Sequence, residues 1–306
     1  MTAPVTTDPT DPGDPADPRG ATAPGVPVGV GPAEAFRRAC RYEGRHLSAL
    51  RSTWILLGVV AVLSLLTGLT ILLDADAQHP VGSVAVADAI AWSPLATQVP
   101  ALCFFVLVLA TGPVSTDLVK GVARTTWLAV NGRGTAYAAK CAVGWITGSA
   151  VAAASALLGS LSCAVALAVA GAPQPAWSEV LTPAVRFIGW MGCWAVLCTA
   201  VAVLLRNRTA AVLLLVLWPL LGERLAGMLL RYLPGLAGAS DWLPFAAGRA
   251  MLTDVSAYAA DDRPFAQALV GSHLATPVAA GVFCLCTAAV AAAGLWAYRR
   301  RDVTAA

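Results

Sequence analysis

Residues 54–73 read WILLGVVAVLSLLTGLTILL, twenty positions without a charge. A helix of that length rises about 30 Å, the thickness of a bilayer's hydrocarbon core. The composition of the whole chain follows the same lead. Of 306 residues, 58% are hydrophobic and 12% charged, and mean hydropathy is +0.71. A soluble domain carries about 25% charged residues, so this chain cannot cover a soluble surface of its size. An ordinary cytosolic enzyme, a fibrous protein and a fully disordered chain are excluded, and an all-α integral membrane protein remains.

Further apolar runs lie at about 98–116, 141–170, 184–205, 209–230 and 277–298. With 54–73 they predict six transmembrane helices, a six-span domain over 54–303. The second run needs Thr111 and Ser115 tolerated near its end. The fifth contains Pro219, so we expect it to be broken or to be completed by Leu225–Leu230.

Two segments precede the first span. Residues 1–32 are rich in Pro and Asp and cannot bury enough surface to offset chain entropy, so disorder is expected. Residues 33–53 read as a basic amphipathic helix leading into the first span. Arg37, Arg41 and Arg45 stack at four-residue spacing, Arg51 follows, and Phe36, Ala39, Cys40 and Leu47 fall on the opposite side. Such a helix suits the inner leaflet, its bases toward anionic headgroups. Glu43 sits within the apolar side, where an acid is out of place.

Loop charge orients the spans. Residues 74–97 and 171–183 carry acids and no Lys or Arg; 115–140 carry Lys120, Arg124, Arg133 and Lys140; 206–208 carry Arg206 and Arg208; and the C-terminus carries Arg299, Arg300 and Arg301. Every short loop therefore predicts both termini in the cytoplasm. Four of the five bases assigned outside (Arg224, Arg231, Arg249 and Arg263) fall in the long segment 222–276, where that rule weakens. Within it, LAGMLLRYLPGL and WLPFAAGRAML look like interfacial helices over the outer end of the bundle.

Little in the chain suggests catalysis. The nearest approach to a phosphate loop, GRGTAYAAK at 132–140, has alanine where the second glycine must stand. There is no H-E-x-x-H and no G-x-S-x-G, and the three histidines are scattered. The eight cysteines include one C-x-C pair, Cys284 and Cys286, which on a helix point apart; we read all eight as packing residues, with no metal site. Glu223 with Arg224 is the one charged pair at a span's end, expected at the outer surface. Gly144, Gly148, Ala152, Ala156, Ser160 and Ala164 form a small-residue stripe suited to close helix packing. The 115–140 loop is more elaborate than a connection requires: it is helix-compatible from Thr116 to Val130 and then turns at Asn131–Gly132.

These residues resemble a known family, the permease subunit of type-2 ABC transporters, over 40–303. RYEGRHLSALRSTWILL is similar to its E-x-x-K-L-R-s-x-R-S-T-W pattern, with Glu43, Leu47, Arg51, Ser52, Thr53 and Trp54 matching. Ala49 departs from it, and Arg45 and His46 stand near the usual lysine. TDLVKGVARTTWLAVNGRGTAYAAK resembles its loop before the third span through Gly121, Arg124, Thr125, Thr126, Leu128, Arg133, Ala139 and Lys140. Here Asp117 replaces a glutamate and Asn131 a frequent proline. LLRNRTAAVLLLVLWPLL and the terminal Arg300, Arg301 and Asp302 complete the match.

The resemblance implies a dimer of permease subunits in the plasma membrane, each seated on a separate cytosolic ATPase that binds ATP and Mg. It places a cytosolic coupling helix at about Asp117–Val130, with Asp117, Lys120, Gly121, Arg124, Thr125 and Arg133 as ATPase-coupling residues. It implies export, with multidrug or antibiotic resistance as its setting. The mostly apolar spans fit a lipid-like, peptide or drug-like cargo better than a small ion, and no nucleic-acid partner is expected. The alternatives are a permease-like subunit serving signalling or surface-component maturation, and a secondary transporter.

Overall fold

The computed structural model describes residues 31–75, 81–91, 100–119 (115–119 as backbone only), 132–205 and 207–300. Most of the 1–32 tail and the 120–130 part of the expected coupling helix lie outside the described residues.

Every regular element among the described residues is helical. Five helices are long and apolar enough to cross a membrane: α2 (Arg51–Asp74), α5 (Arg133–Ala170), α6 (Trp177–Leu205), the continuous helical stretch Arg208–Tyr232, and α11 (Thr276–Arg300). The second expected span corresponds to α4 (Leu102–Val119). It starts four residues later than its apolar run, and the part with described side chains, Leu102–Val114, is a shorter apolar helix.

The amphipathic segment ends sooner than its pattern suggests. Helix α1 covers Pro32–Ala49, and Leu50 turns extended (φ −80°, ψ 120°) before α2 begins at Arg51. The bend is latched by Trp54, whose Nε1–H donates to the Ser48 carbonyl at 2.8 Å. Arg51 therefore opens the first span rather than closing the amphipathic helix.

The fifth run is broken and completed. Helix α7 (Arg208–Leu217) passes through a π turn (Trp218–Gly222) into α8 (Glu223–Tyr232). Pro219 has no N–H to give the ladder, and a wider turn accommodates the loss. The Asn207 side chain caps α7 by accepting from the Thr209 and Ala210 N–H groups.

Helix α5 is the spine. Its 38 residues rise about 57 Å, so it outruns a bilayer core and presents Arg133 to Lys140 beyond the apolar run. Its Gly144–Gly148–Ala152 stripe packs on α6 as expected: a methyl at Gly148 would come within 2.7 Å of the Met191 carbonyl oxygen. A second stripe, unread in the sequence, packs on α2. There the Ser64 and Ser155 hydroxyls meet at 2.8 Å, and a methyl at Gly68 would stand 2.6 Å from the Ser162 carbonyl oxygen. Small residues on both faces let α5 lie tightly between two partners.

Two connections hold helices, one read as a loop (74–97) and one expected to carry interfacial helices (222–276). In 74–97, α3 (Ser83–Ile90) buries Val86, Ala87 and Ile90 against α5 and α6. It is too short to span, and its apolar run gives no periodic signal of its own. Past α8, a 3₁₀ turn (Ala237–Trp242) precedes α9 (Pro244–Leu252), and α10 (Arg263–Val270) follows. Helix α9 is a correction to the interfacial reading. Phe245, Ala246, Ala247, Gly248, Ala250 and Met251 are all buried, and the helix is inserted between α6 and α11. Its alanines and glycine permit the close fit, with Gly248 against Trp190 and Phe283. Aromatic rings complete the joint: Trp190 stacks on Phe283 at 5.2 Å and on Trp194 at 5.7 Å, and Phe245 meets Phe283 edge-on. Such pairs contribute about 0.5–1.5 kcal/mol each beyond burial.

Candidate functional site

Of the residues singled out in the sequence, Arg37, Arg41, Glu43, Arg45, Arg51, Arg133 and Lys140 lie at the end of the bundle that carries α1, the start of α5 and the end of α11. The apolar stripe of α1 is Ala35, Ala39 and Glu43, at four-residue spacing, and all three are buried. The stripe is covered by α5, with Ala39 packed on Ala139. It is thus occupied by protein rather than left for acyl chains. Arg37, Arg41 and Arg45 lie on the exposed side, as does Arg51 at the start of α2, and Arg38 pairs with Glu34 one turn away.

The misplaced acid now has a physical reason. Lys140 Nζ lies 2.6 Å from Glu43 Oε1, and the two side chains are 4% and 5% exposed. An ammonium and a carboxylate removed from water must be paired, or the cost of desolvation would expel them. The pair therefore fixes the register of α1 on α5. Sequence reasoning noted Glu43 and Lys140 separately; the signal that could have joined them is that each interrupts an apolar face.

Other contacts tie α5 to α11 at the same end. Arg133 Nη1 donates to the Arg299 carbonyl at 3.1 Å, and Tyr137 Oη donates to the Ala291 carbonyl at 2.9 Å. The Tyr137 and Tyr298 rings lie 5.6 Å apart. Gly134 gives room to the Arg299 guanidinium, whose Nη2 would stand 2.9 Å from a Cβ there. Of the expected coupling residues, Arg133 belongs to this joint. Asp117 is in the last turn of α4 by its backbone, and Lys120, Gly121, Arg124 and Thr125 lie outside the described residues.

The opposite end is built differently. Glu223 and Arg224 do not pair with each other there. The wholly buried Glu223 carboxylate accepts from the Phe245 N–H at 2.7 Å and from the Ala246 N–H, capping the first turn of α9, with Arg249 at 3.7 Å. Arg224, Arg249 and Arg231 donate to the carbonyls of Leu269, Val270 and Gly271 at 2.7, 3.0 and 3.2 Å. Three guanidinium groups thus close the C-terminus of α10. Arg263 donates to the Tyr258 and Ser256 carbonyls at 2.9 and 3.0 Å. Burial pulls the Arg249 guanidinium down to about 10, against the opposing pull of Glu223.

Beside this cap, Asp88, Glu179, Arg186, Asp254 and Tyr258 line a cavity of about 230 Å³. Tyr258 Oη donates to Asp88 Oδ2 at 2.7 Å, and burial raises the Asp88 carboxyl to about 6. Among the described residues no three His, Cys, Asp or Glu side chains are grouped to hold a metal, and all eight cysteines are free thiols. No family model, no curated protein and no solved structure matches the chain.

Proposed function

We propose that this chain is the membrane subunit of an ATP-driven exporter in the plasma membrane, with α4 as the second of six spans and both termini cytoplasmic. A separate cytosolic ATPase binds the ATP and Mg, and a second permease subunit completes the complex. The observation that supports this reading is the Glu43–Lys140 pair. Both residues carry the resemblance to ABC permeases, they lie 97 positions apart, and their contact makes α1 and α5 one mechanical unit, with α5 following the 120–131 segment in the chain. A push on that segment is passed along the chain to α5, and α5 packs on α1, α2, α6 and α11. The bundle then responds as a rigid body, the usual way a small local displacement becomes a large one. The apolar spans suit an amphipathic or hydrophobic cargo.

A proton-coupled secondary transporter would need a titratable group free within the spans. Glu223 is instead committed to the α9 N-terminus, which counts against that reading.

The test is a mild-detergent pull-down from native membranes with mass spectrometry of what is retained. Recovery of a soluble ATPase bearing a phosphate loop is the expected result. A crosslinked preparation that still lacks one would overturn the proposal. Asp117→Arg and Arg124→Glu are expected to release the ATPase while the permease stays inserted. Unchanged ATPase binding and turnover in both would remove the 117–130 loop as the coupling element.

A further inference from the structure

A recess of about 350 Å³ opens on the side of the bundle, between α6, α7 with its π turn, the start of α9 and the middle of α11. The outer wall residues Leu214 and Trp218 are exposed, while Phe245, Phe283 and Thr287 at its floor are buried. Three aromatic rings face it, those of Trp218, Phe245 and Phe283, with Leu215 and Val290 among the aliphatic walls. Among the described residues no charged side chain lines it. A void of this size with such walls is in the range that takes a small molecule, and apolar cavities of even half that volume bind aromatic guests.

One wall residue breaks the apolar pattern. Thr287 is buried, yet its hydroxyl has no hydrogen-bond partner. Three other buried hydroxyls of the spans behave differently: Ser64 donates to the Val60 carbonyl, Thr111 to that of Leu107 and Thr199 to that of Ala195, at 2.7, 2.8 and 2.9 Å. This backbond to the residue four before is the ordinary resort of a helical Ser or Thr. Thr287 does not take it. A buried hydroxyl without a partner is costly, and on a cavity wall a guest can supply what is missing. As placed, the Thr287 oxygen is closed off from the recess, so a guest engages it once the side chain turns to another staggered χ1 position. The π turn adds to the case: it puts Trp218 and Pro219 on the wall, and such turns recur at functional sites.

We infer that this cavity binds a small uncharged aromatic molecule with one hydrogen-bonding group, its ring among Trp218, Phe245 and Phe283 and its polar atom on Thr287. A charged guest is excluded, because no counter-charge lines the wall. A plain acyl chain would leave the hydroxyl unsatisfied. The inference does not rest on the transport reading, since binding is measured without ATPase or ATP and either can fail alone.

The test uses the full chain in lipid nanodiscs and a photoreactive benzyl alcohol carrying an aryl diazirine, with labelled peptides mapped by mass spectrometry. Competitors are 1-naphthol and 1-methylnaphthalene, alike in shape but not in hydrogen bonding. Saturable labelling of 215–219 and 286–290 is expected, with 1-naphthol the better competitor by about tenfold. Thr287→Val, which conserves volume, should erase the preference, and Thr287→Ser should keep it. Comparing each variant with wild type cancels the different partitioning of the competitors into lipid. Leu215→Trp should fill the cavity and abolish saturable labelling. Labelling that never saturates, or a preference that survives Thr287→Val, would overturn the proposal.

Discussion

At one end of the bundle the arginines of α1 stand on the surface; at the other end four arginines are tied to main-chain carbonyls. Helix α1 turns Arg37, Arg41 and Arg45 outward and hides one acid against one lysine. In the cap, Arg224, Arg231, Arg249 and Arg263 all donate to main-chain carbonyls. The difference teaches that counting bases is an argument about free charge. A guanidinium closing a helix C-terminus interacts with the half-charge of that terminus, so part of its charge is offset even where, as at Arg231, the side chain is exposed. The four bases that strain the charge rule in 222–276 are the four that the cap uses.

The comparison breaks most sharply at Glu43. Removing the acid by Glu43→Ala leaves Lys140 charged and buried, a loss of about 3–5 kcal/mol. The variant should unfold at clearly lower temperature in detergent, and Glu43→Leu with Lys140→Met should recover most of the loss. If the single variant matched wild type, α1 would not be anchored by this pair. Glu223→Gln is the counterpart at the cap. It keeps the shape but weakens two charge-assisted bonds to α9, a loss of about 2–3 kcal/mol. Faster hydrogen exchange should be confined to α9 and α10. Exchange spread over the whole bundle would mean that Glu223 supports the core rather than the cap.

The same contrast marks what the sequence could tell. The spans were legible because apolar length is local: 54–73, 184–205 and 277–298 fall within α2, α6 and α11. The break at Pro219 was legible because proline acts on its own helix. The α1 boundary was not, because the turn at Leu50 is latched by Trp54 reaching back to Ser48, a contact that no propensity encodes. Helix α9 was misplaced because its alanines read the same whether they lie on a membrane surface or between two helices. At the candidate site Glu43 was noticed and Lys140 was noticed, but their pairing spans 97 residues and needs the fold. The second face of α5 was missed because serines and glycines among alanines carry no periodic contrast.

A smaller effect is expected along α5, which joins the two ends. Gly68→Ala would set a methyl against the Ser162 backbone, and Gly148→Ala against that of Met191. Backbone cannot yield as a side chain tip can, so each should lose about 1–3 kcal/mol, read as a lower melting temperature. Gly281→Ala, with open space around it, is the control and should change little. Equal effects at all three positions would show that helix propensity, not close packing, governs these glycines.

The smallest effect concerns pH and belongs to the cap alone. Burial raises the Asp88 carboxyl from the usual value near 3.8 to about 6, although Tyr258 donates to it. Glu179 and Asp254 share its cavity as further acids, and Arg186 as the one base. A carboxyl whose folded value is raised holds its proton more tightly in the folded chain. Its contribution is fully present below about pH 4 and is lost as pH rises through 6. Wild type should therefore gain stability on acidification from pH 7 to 5 relative to Asp88→Asn, whose amide mimics the neutral acid at every pH. At pH 7 the variant should be the more stable by about 1 kcal/mol, the cavity's solvent access having reduced the full linkage value. Parallel curves for the two proteins would mean that Asp88 is ionised in the folded cap and held by Arg186. Meeting curves below pH 5 would mean that the cap, unlike the α1 end, loosens as its own carboxyl ionises.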